Sequence, residues 1–156
     1  MKLSHDELKG LMKNKLMKAG LNEDHADIAA EVMTWSDERG YHSHGAVRVE
    51  YYAERIAKGG ITADPKFEWK ETGPCSGVFE GDNGCGYAVA KYGMDKAIEM
   101  AKKNGIAVVG MRNMSHSGSI GYYTEMAAEQ GLLAISFCQS DPMAVPVRRN
   151  EARPYL

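Results

Sequence analysis

The sequence has few cysteines, little net charge and no long apolar run, and each of these absences excludes a class of protein. Its three cysteines form no C-x-x-C pair, which argues against a disulfide framework or a zinc ribbon and favours reduced, buried thiols. A formal charge of −2, spread over 19 basic and 21 acidic residues, offers no field that would concentrate nucleic acid or an acidic membrane. Without a secretory or membrane-spanning segment, we expect a cytoplasmic protein.

What the sequence does have is a clear helical pattern over residues 1–60, which we predict to be a helical N-terminal segment. Ser4 with Glu7 three residues later is a capping box, and it opens a first helix. Asn22 caps a second helix, so the two form a hairpin. A third helix is predicted over about residues 45–58, because apolar residues recur there at helical intervals.

Residues 61–156 have a different pattern, which predicts the α/β part of a catalytic domain. Short apolar runs alternate with helical periodicity in the order β-α-β-α-β, an order that requires right-handed crossovers and a mainly parallel sheet. Ligands of such sheets usually bind at the carboxyl ends of the strands. The predicted strands are 67–70, 75–80, 106–110 and 132–138, the predicted helices are 88–104 and 120–130, and a turn is predicted at 81–84.

The most informative spacing is that of His44, Arg48 and Tyr52, which are four residues apart. On a helix that begins near Gly45, an imidazole, a guanidinium and a phenol would share one face. Arginine in that company suits a planar carboxylate, which it can bind with two parallel hydrogen bonds. The alternative is an ordinary solvated helix face with a half-buried tyrosine.

A second candidate is His116, in the loop between the predicted strand 106–110 and the helix 120–130. A histidine there lies at the carboxyl edge of the sheet, and its ordinary pKa lets it exchange a proton near neutrality. The alternative is a loop histidine that is hydrogen-bonded to neighbouring hydroxyls, with Ser119 as a plain helix cap.

Three weaker patterns are set aside. Residues 84–89 begin like a dinucleotide-binding fingerprint but end in Val where helix packing needs Gly or Ala. Residues 73–77 imitate a nucleophile elbow, but a strand is predicted after them instead of a helix. His42 and His44 would need His116 as a third ligand to bind a metal, and nothing in the spacing requires it, so we expect no metal.

Several contiguous stretches resemble the type-2 malate/L-lactate dehydrogenase family. The resemblance extends from the first helix to about Pro146, and longer stretches favour one member of that family in particular. The matching stretches are residues 37–40, 42–56, 71–76, 115–118 and 138–143.

The resemblance implies a homodimeric enzyme with a non-Rossmann nicotinamide-binding fold that oxidises a 2-hydroxy acid to a 2-oxo acid. NAD is the expected cofactor, with NADP as the alternative. By the same resemblance His116 is the proton acceptor and His44 a second catalytic or orienting imidazole. Arg48 and Tyr52 would contact the substrate, and Ser140 the cofactor.

This sequence also departs from the family pattern in two places. Family members are longer and carry a Gly-Gly pair where this chain has residues 147–150, and a Gly-Thr-Asn-Pro segment would follow Leu156. We therefore expect much of the cofactor-binding surface to lie outside this sequence. A fragment of a longer enzyme and a non-catalytic remnant both remain open at this point.

Overall fold

The capping box predicted at Ser4 opens the first helix of the computed structural model, which describes residues 2–139. The Ser4 side chain accepts from the Glu7 amide while the Glu7 carboxylate accepts from the Ser4 amide, and helix α1 then runs over His5–Lys18. Helix α2, Glu23–Glu38, begins at Asn22, whose side chain accepts from the His25 amide. The predicted helical hairpin is therefore confirmed.

The predicted third helix over residues 45–58 is wrong in its first turn. Two short 3-10 turns, His42–His44 and Ala46–Arg48, precede helix α3, which covers only Val49–Ala57. The reason is Gly45, whose dihedral angles of φ −91° and ψ −148° are not helical. His44 therefore does not share a helix face with Tyr52, whereas Arg48 is the N-cap of α3, four residues before Tyr52.

The sheet has three strands in the order β1-β2-β3, and it is mixed instead of mainly parallel. Strand β1, Glu68–Gly73, pairs antiparallel with β2, Ser76–Gly84. Strand β2 then pairs parallel with β3, Val108–Met114, through the crossover helix α4, Gly86–Asn104. The β-α-β unit is thus confirmed, whereas β1 joins the sheet by a hairpin.

The predicted turn at 81–84 is a bulge within β2. The ladder to β3 shifts register between Glu80 and Gly84, and Asp82 and Asn83 have positive φ angles of 48° and 53°. Asn and Asp tolerate this left-handed conformation, so the strand continues through the irregularity.

Two strand predictions need correction at the end of the described chain. Strand β3 begins at Val108, which is 66% exposed, so it is not the buried strand expected at 106–110. Helix α5, Gly121–Glu129, follows as predicted, but residues 132–138 form no strand, because no described strand pairs with them. Leu133, Ile135 and Phe137 are exposed there.

Helix α4 connects the helical segment with the sheet. One cluster of buried side chains joins all the described helices, and Met33 of α2 and Tyr87 of α4 are among its fully buried members. On the sheet side, a Cβ at Gly93 would lie 2.5 Å from Cε of Met111, so the helix lies directly on β3. Within residues 2–139, no helix is long and apolar enough to cross a membrane.

Candidate active site

The candidate site lies at the carboxyl end of β3, where residues 115–119 connect the strand to α5. Ser115 fixes the start of this loop, because its amide donates to the Gly84 carbonyl and its hydroxyl accepts from the Gly86 amide. Further along, the Tyr123 hydroxyl donates to the Ser117 carbonyl at 2.6 Å. The loop is therefore tied to the starts of both α4 and α5, as expected for a preorganised site at a sheet edge.

His116 is held by its inner nitrogen, Nδ1. The Tyr52 hydroxyl lies 2.6 Å from Nδ1, and the Gly118 amide donates to the same atom at 3.2 Å. Gly118 has a positive φ of 73°, and a Cβ there would lie 2.3 Å from the Tyr87 ring, so only glycine fits. The residue is partly exposed, and because Nδ1 is bound on the inner side, the Nε2 edge is the side that can meet a ligand.

His44 and Arg48 lie next to His116 although they precede helix α3. The His44 and His116 rings are 5.6 Å apart, and the His44 Nδ1 lies 2.9 Å from the Ser43 hydroxyl. The Arg48 Nε donates to the Ser43 carbonyl at 2.7 Å, which fixes the root of its guanidinium. Its two terminal nitrogens make no hydrogen bond to residues 2–139, so they can bind an anion.

Burial lowers the pKa of His116, and the neighbouring His44 ring and the Arg48 charge lower it further. His116 is therefore neutral at neutral pH, the state in which an imidazole can accept a proton. Burial raises the pKa of Tyr52, while the neighbouring Tyr87 hydroxyl and the Arg48 charge act in the opposite direction. Tyr52 is 4% exposed, so its hydroxyl is neutral and faces inward to His116.

Asp37, at the end of α2, is a residue whose role the sequence patterns did not predict. Its carboxylate accepts from the Ala46 amide at 2.7 Å and lies 2.8 Å from Nδ1 of His42. A Cβ at Gly45 would lie 2.2 Å from that carboxylate, so the glycine makes room for it. Asp37 thus holds the segment 42–48 against α2, and the only signal for it was its place in a stretch that resembles the family.

The structure brings together four of the five predicted site residues, His44, Arg48, Tyr52 and His116. Ser140, the expected cofactor contact, lies outside the described residues. His42 faces Asp37 instead of His116, and its side chain is 76% exposed. Within residues 2–139, no group of His, Cys, Asp or Glu side chains has the geometry to hold a metal ion.

The glycine-rich start of α4 has no room for a pyrophosphate. A Cβ at Gly86 would lie 2.0 Å from the Ser115 carbonyl, and the Gly86 amide already donates to Ser115. Burial raises the pKa of the Cys85 thiol to about 11. The nucleophile elbow is also absent, since Cys75 lies in the turn between β1 and β2 and no helix follows it.

The fold and the site define an α/β protein with a histidine at a sheet edge beside an arginine, a combination suited to small carboxylates. The malate/L-lactate dehydrogenase family matches residues 3–153, nearly the whole sequence. The chain belongs to that family.

Among its relatives is the NAD⁺-dependent ureidoglycolate dehydrogenase of Escherichia coli O157:H7, 56% identical over 146 residues, which are 94% of this chain and 42% of the relative. This enzyme is the member that the longer stretches favoured. The malate dehydrogenase of Pyrococcus abyssi is 39% identical over 93% of this chain and 40% of its own length. The solved structure of malate dehydrogenase from Pyrococcus horikoshii superposes with a TM-score of 0.81 at 37% identity, over 84% of this chain and 38% of that one. The chain thus spans well under half the length of these relatives.

Proposed function

We propose that this chain carries the proton-transfer part of a dehydrogenase that oxidises a 2-hydroxy acid to a 2-oxo acid, with ureidoglycolate as substrate and oxalurate as product. The observation that carries the proposal is the exposed edge of His116, whose inner nitrogen is bound by Tyr52 and Gly118. The relationship to ureidoglycolate dehydrogenase at 56% identity supports the choice of substrate.

In this proposal His116 accepts the hydroxyl proton of the substrate at Nε2, in the tautomer that carries its proton on Nδ1 and donates it to the Tyr52 hydroxyl oxygen. Arg48 binds the substrate carboxylate through its terminal nitrogens, which fixes the hydroxyl within reach of the imidazole. His44 orients the reacting group from the other side of the His116 ring, 5.6 Å away. Tyr52 holds His116 from behind, and its expected direct contact with substrate stays a prediction, since its side chain is buried.

NAD is the proposed cofactor, and it would supply the acceptor for the substrate hydride. The described residues fit the acid/base and carboxylate-binding half of such a site, but the start of α4 is closed to a pyrophosphate. We therefore propose that Ser140 and residues outside this sequence hold NAD in a non-Rossmann fold. NADP is the alternative cofactor.

We further propose a homodimer in the cytoplasm, as the family resemblance implies. We also propose that residues 1–60 form a helical N-terminal segment and that residues 61–156 form the incomplete α/β part of the catalytic domain. An incomplete domain is supported by the length of the relatives, because the matched part of this chain covers 42% of the Escherichia coli enzyme.

The proposal is tested with a chimaera in which this chain replaces the matching stretch of the Escherichia coli O157:H7 relative. Oxidation of ureidoglycolate, malate and lactate is followed with NAD and with NADP, beside the parent enzyme and the 156-residue chain alone. We expect the chimaera to oxidise ureidoglycolate with NAD and the chain alone to be inactive. Positioning of the reactants can lower the activation barrier of such reactions by about 7–11 kcal/mol. In this proposal most of the residues that position the cofactor are outside the 156-residue chain.

A second chimaera, with the Pyrococcus abyssi malate dehydrogenase, separates the contributions of the two parts. Preference for ureidoglycolate in both chimaeras assigns the substrate choice to this chain, whereas a switch to malate contradicts the proposed substrate. Two folded chimaeras without any activity would contradict the dehydrogenase proposal itself.

A further inference from the structure

The last turn of helix α2 carries a buried serine, Ser36, to which the proposed function assigns no role. Ser36 is fully buried, and its hydroxyl oxygen lies 2.8 Å from the Val32 carbonyl oxygen and 2.8 Å from the hydroxyl oxygen of Ser119. A bond back to the carbonyl four residues earlier is common for a serine within a helix. The contact with Ser119, in contrast, joins α2 to a distant part of the chain.

Ser119 is the last residue of the loop 115–119, which carries His116, and it does not cap helix α5. The N-cap of α5 is Ile120, and no side chain makes a capping hydrogen bond there. In the part of the chain that the structure describes, the Ser119 hydroxyl has Ser36 as its hydrogen-bond partner. Ser119 is therefore not the plain helix cap that its place in the sequence suggests.

The contact of the two serines is one of two hydrogen bonds that join the His116 loop to the helical segment, among the residues that the structure describes. The other bond joins His116 itself to Tyr52 of α3. The remaining hydrogen bonds of the loop hold it to the sheet, to α4 and to α5. The serine pair does not involve the imidazole, so it can hold the loop whichever nitrogen of His116 carries the proton.

The same turn of α2 also holds the other half of the candidate site. Asp37, the next residue, accepts from the Ala46 amide at 2.7 Å, which ties the segment with His44 and Arg48 to α2. Two consecutive residues of one helix thus bind the two segments that carry the site. The His44 and His116 rings lie 5.6 Å apart between these segments.

We propose that Ser36 is a positioning residue whose bond to Ser119 sets the distance between His116 and the segment that carries His44 and Arg48. Ser36 acts through the backbone of the loop and does not touch the substrate. A proton acceptor must lie within hydrogen-bond reach of the substrate hydroxyl, so a displaced loop slows proton transfer while Arg48 still binds the carboxylate. The role in proton transfer rests on the proposed function, whereas the spacing of the two segments rests on the contacts alone.

The spacing is tested in the 156-residue chain without any turnover. The measurement is the nuclear Overhauser effect between the ring protons of His44 and His116, which falls steeply with distance. We expect it to be weaker in Ser36→Ala. Thr34→Val is the matched control and should leave it unchanged. Thr34 is a buried residue of the same helix whose hydroxyl donates to the Ala30 carbonyl at 2.8 Å and, within residues 2–139, to no other element.

The role in the reaction is tested in the chimaera with the Escherichia coli relative. Ser36→Ala should lower kcat for ureidoglycolate oxidation by about ten- to hundredfold with KM near the parent value, since a misplacement of about 1 Å can cost about a hundredfold in rate. The value of kcat is expressed per folded enzyme, with the folded fraction measured by urea unfolding. Thr34→Val loses a similar buried hydrogen bond and should keep the parent kcat.

Ser119 offers a second pair of variants, Ser119→Thr and Ser119→Val, which add side chains of equal size. The threonine keeps a hydroxyl for Ser36, whereas the valine has a methyl group in its place. We expect Ser119→Thr to keep the Overhauser effect and kcat, and Ser119→Val to lose them as Ser36→Ala does. In a Ser36→Ala background the two variants should be equal, because the hydroxyl has lost its partner. This pair decides the question if Ser36→Ala does not fold.

An Overhauser effect that is unchanged in Ser36→Ala, or equal in Ser119→Thr and Ser119→Val, overturns the proposal. Its absence from the unaltered chain would contradict the spacing itself. A weaker effect with an unchanged kcat per folded enzyme would show that this spacing does not serve the reaction, and would also overturn the proposal. If the unaltered chimaera is inactive, the proposed function fails, and the Overhauser effect alone decides whether Ser36 sets the spacing.

Discussion

At the scale of single residues, the site depends on which nitrogen of His116 faces outward and on which charges lie beside it. Nδ1 is bound by Tyr52 and Gly118, and Arg48 adds a positive charge nearby. His116 could be predicted as a site residue from the sequence, because its loop follows a strand. Its partners were not, because Tyr52 is 64 residues away in the chain and the contact between them is tertiary.

The Arg48 guanidinium makes the first prediction at this scale. In the chimaera, Arg48→Lys should raise KM for ureidoglycolate by about ten- to hundredfold, because an ammonium cannot reproduce two parallel hydrogen bonds to a carboxylate. Arg55→Lys is the control, since Arg55 is an exposed residue of α3 that donates to the Tyr51 hydroxyl. Steady-state kinetics check this. A KM that rises in Arg55→Lys but not in Arg48→Lys would mean that Arg48 does not bind the substrate carboxylate.

His25 makes the second prediction, on stability. Burial lowers its pKa from the ordinary 6.5, in a position stacked on Phe67 with the rings 5.0 Å apart. Below pH 6.5 His25 is therefore protonated in the unfolded chain but still neutral in the folded chain. The free energy of unfolding consequently falls as the pH drops from 6.5 towards the pKa of His25 in the folded chain. His25→Phe keeps the stacking and removes this dependence.

The measurement is the urea midpoint of both proteins at about pH 7.5 and about pH 5.5. We expect a larger fall in the unaltered chain than in His25→Phe. His116, whose pKa is also lowered, is present in both proteins and cancels from the comparison. Equal falls would show that His25 is protonated as easily in the folded chain as in the unfolded one.

At the scale of elements, local signals predicted α1 and α2 well and the segment 42–48 poorly. Helix caps act over three residues, so Ser4 and Asn22 could be identified from the sequence. The segment 42–48 is shaped by Asp37, which belongs to the preceding helix and accepts from the Ala46 amide. The four-residue spacing of His44, Arg48 and Tyr52 thus predicted the right neighbours, although Gly45 interrupts the helical backbone between His44 and Arg48.

The contact between Gly45 and Asp37 gives a prediction for this segment. Gly45→Ala would place a Cβ 2.2 Å from the Asp37 carboxylate and should destabilise the fold, by about 1–3 kcal/mol as usual for overpacking. In an Asp37→Ala background the added methyl has room, so its cost should be much smaller. Gly10→Ala is the control, because a Cβ there meets nothing within 4 Å and helix propensity favours alanine.

Urea unfolding of the four members of the cycle measures this coupling. Equal costs of Gly45→Ala in both backgrounds would mean that Asp37 does not hold the segment 42–48.

At the scale of the whole molecule, the order of helices and strands was predictable, but their pairing was not. The crossover β2-α4-β3 follows from periodicity and handedness alone. The antiparallel place of β1 and the unpaired stretch 132–138 depend on which partners are present, and periodicity does not specify partners. Leu133 and Phe137, at 90% and 91% exposure, are the apolar side chains that the sequence suggested would be buried in a strand.

The most direct test of the central claim is the turnover number of His116→Ala in the chimaera with the Escherichia coli relative. His42→Ala is the matched control, because His42 is an exposed histidine that faces Asp37. The account predicts that kcat for ureidoglycolate oxidation falls by about two to four orders of magnitude in His116→Ala, the usual worth of a positioned acid/base, and stays near the parent value in His42→Ala. A folded His116→Ala chimaera with unchanged kcat would contradict it.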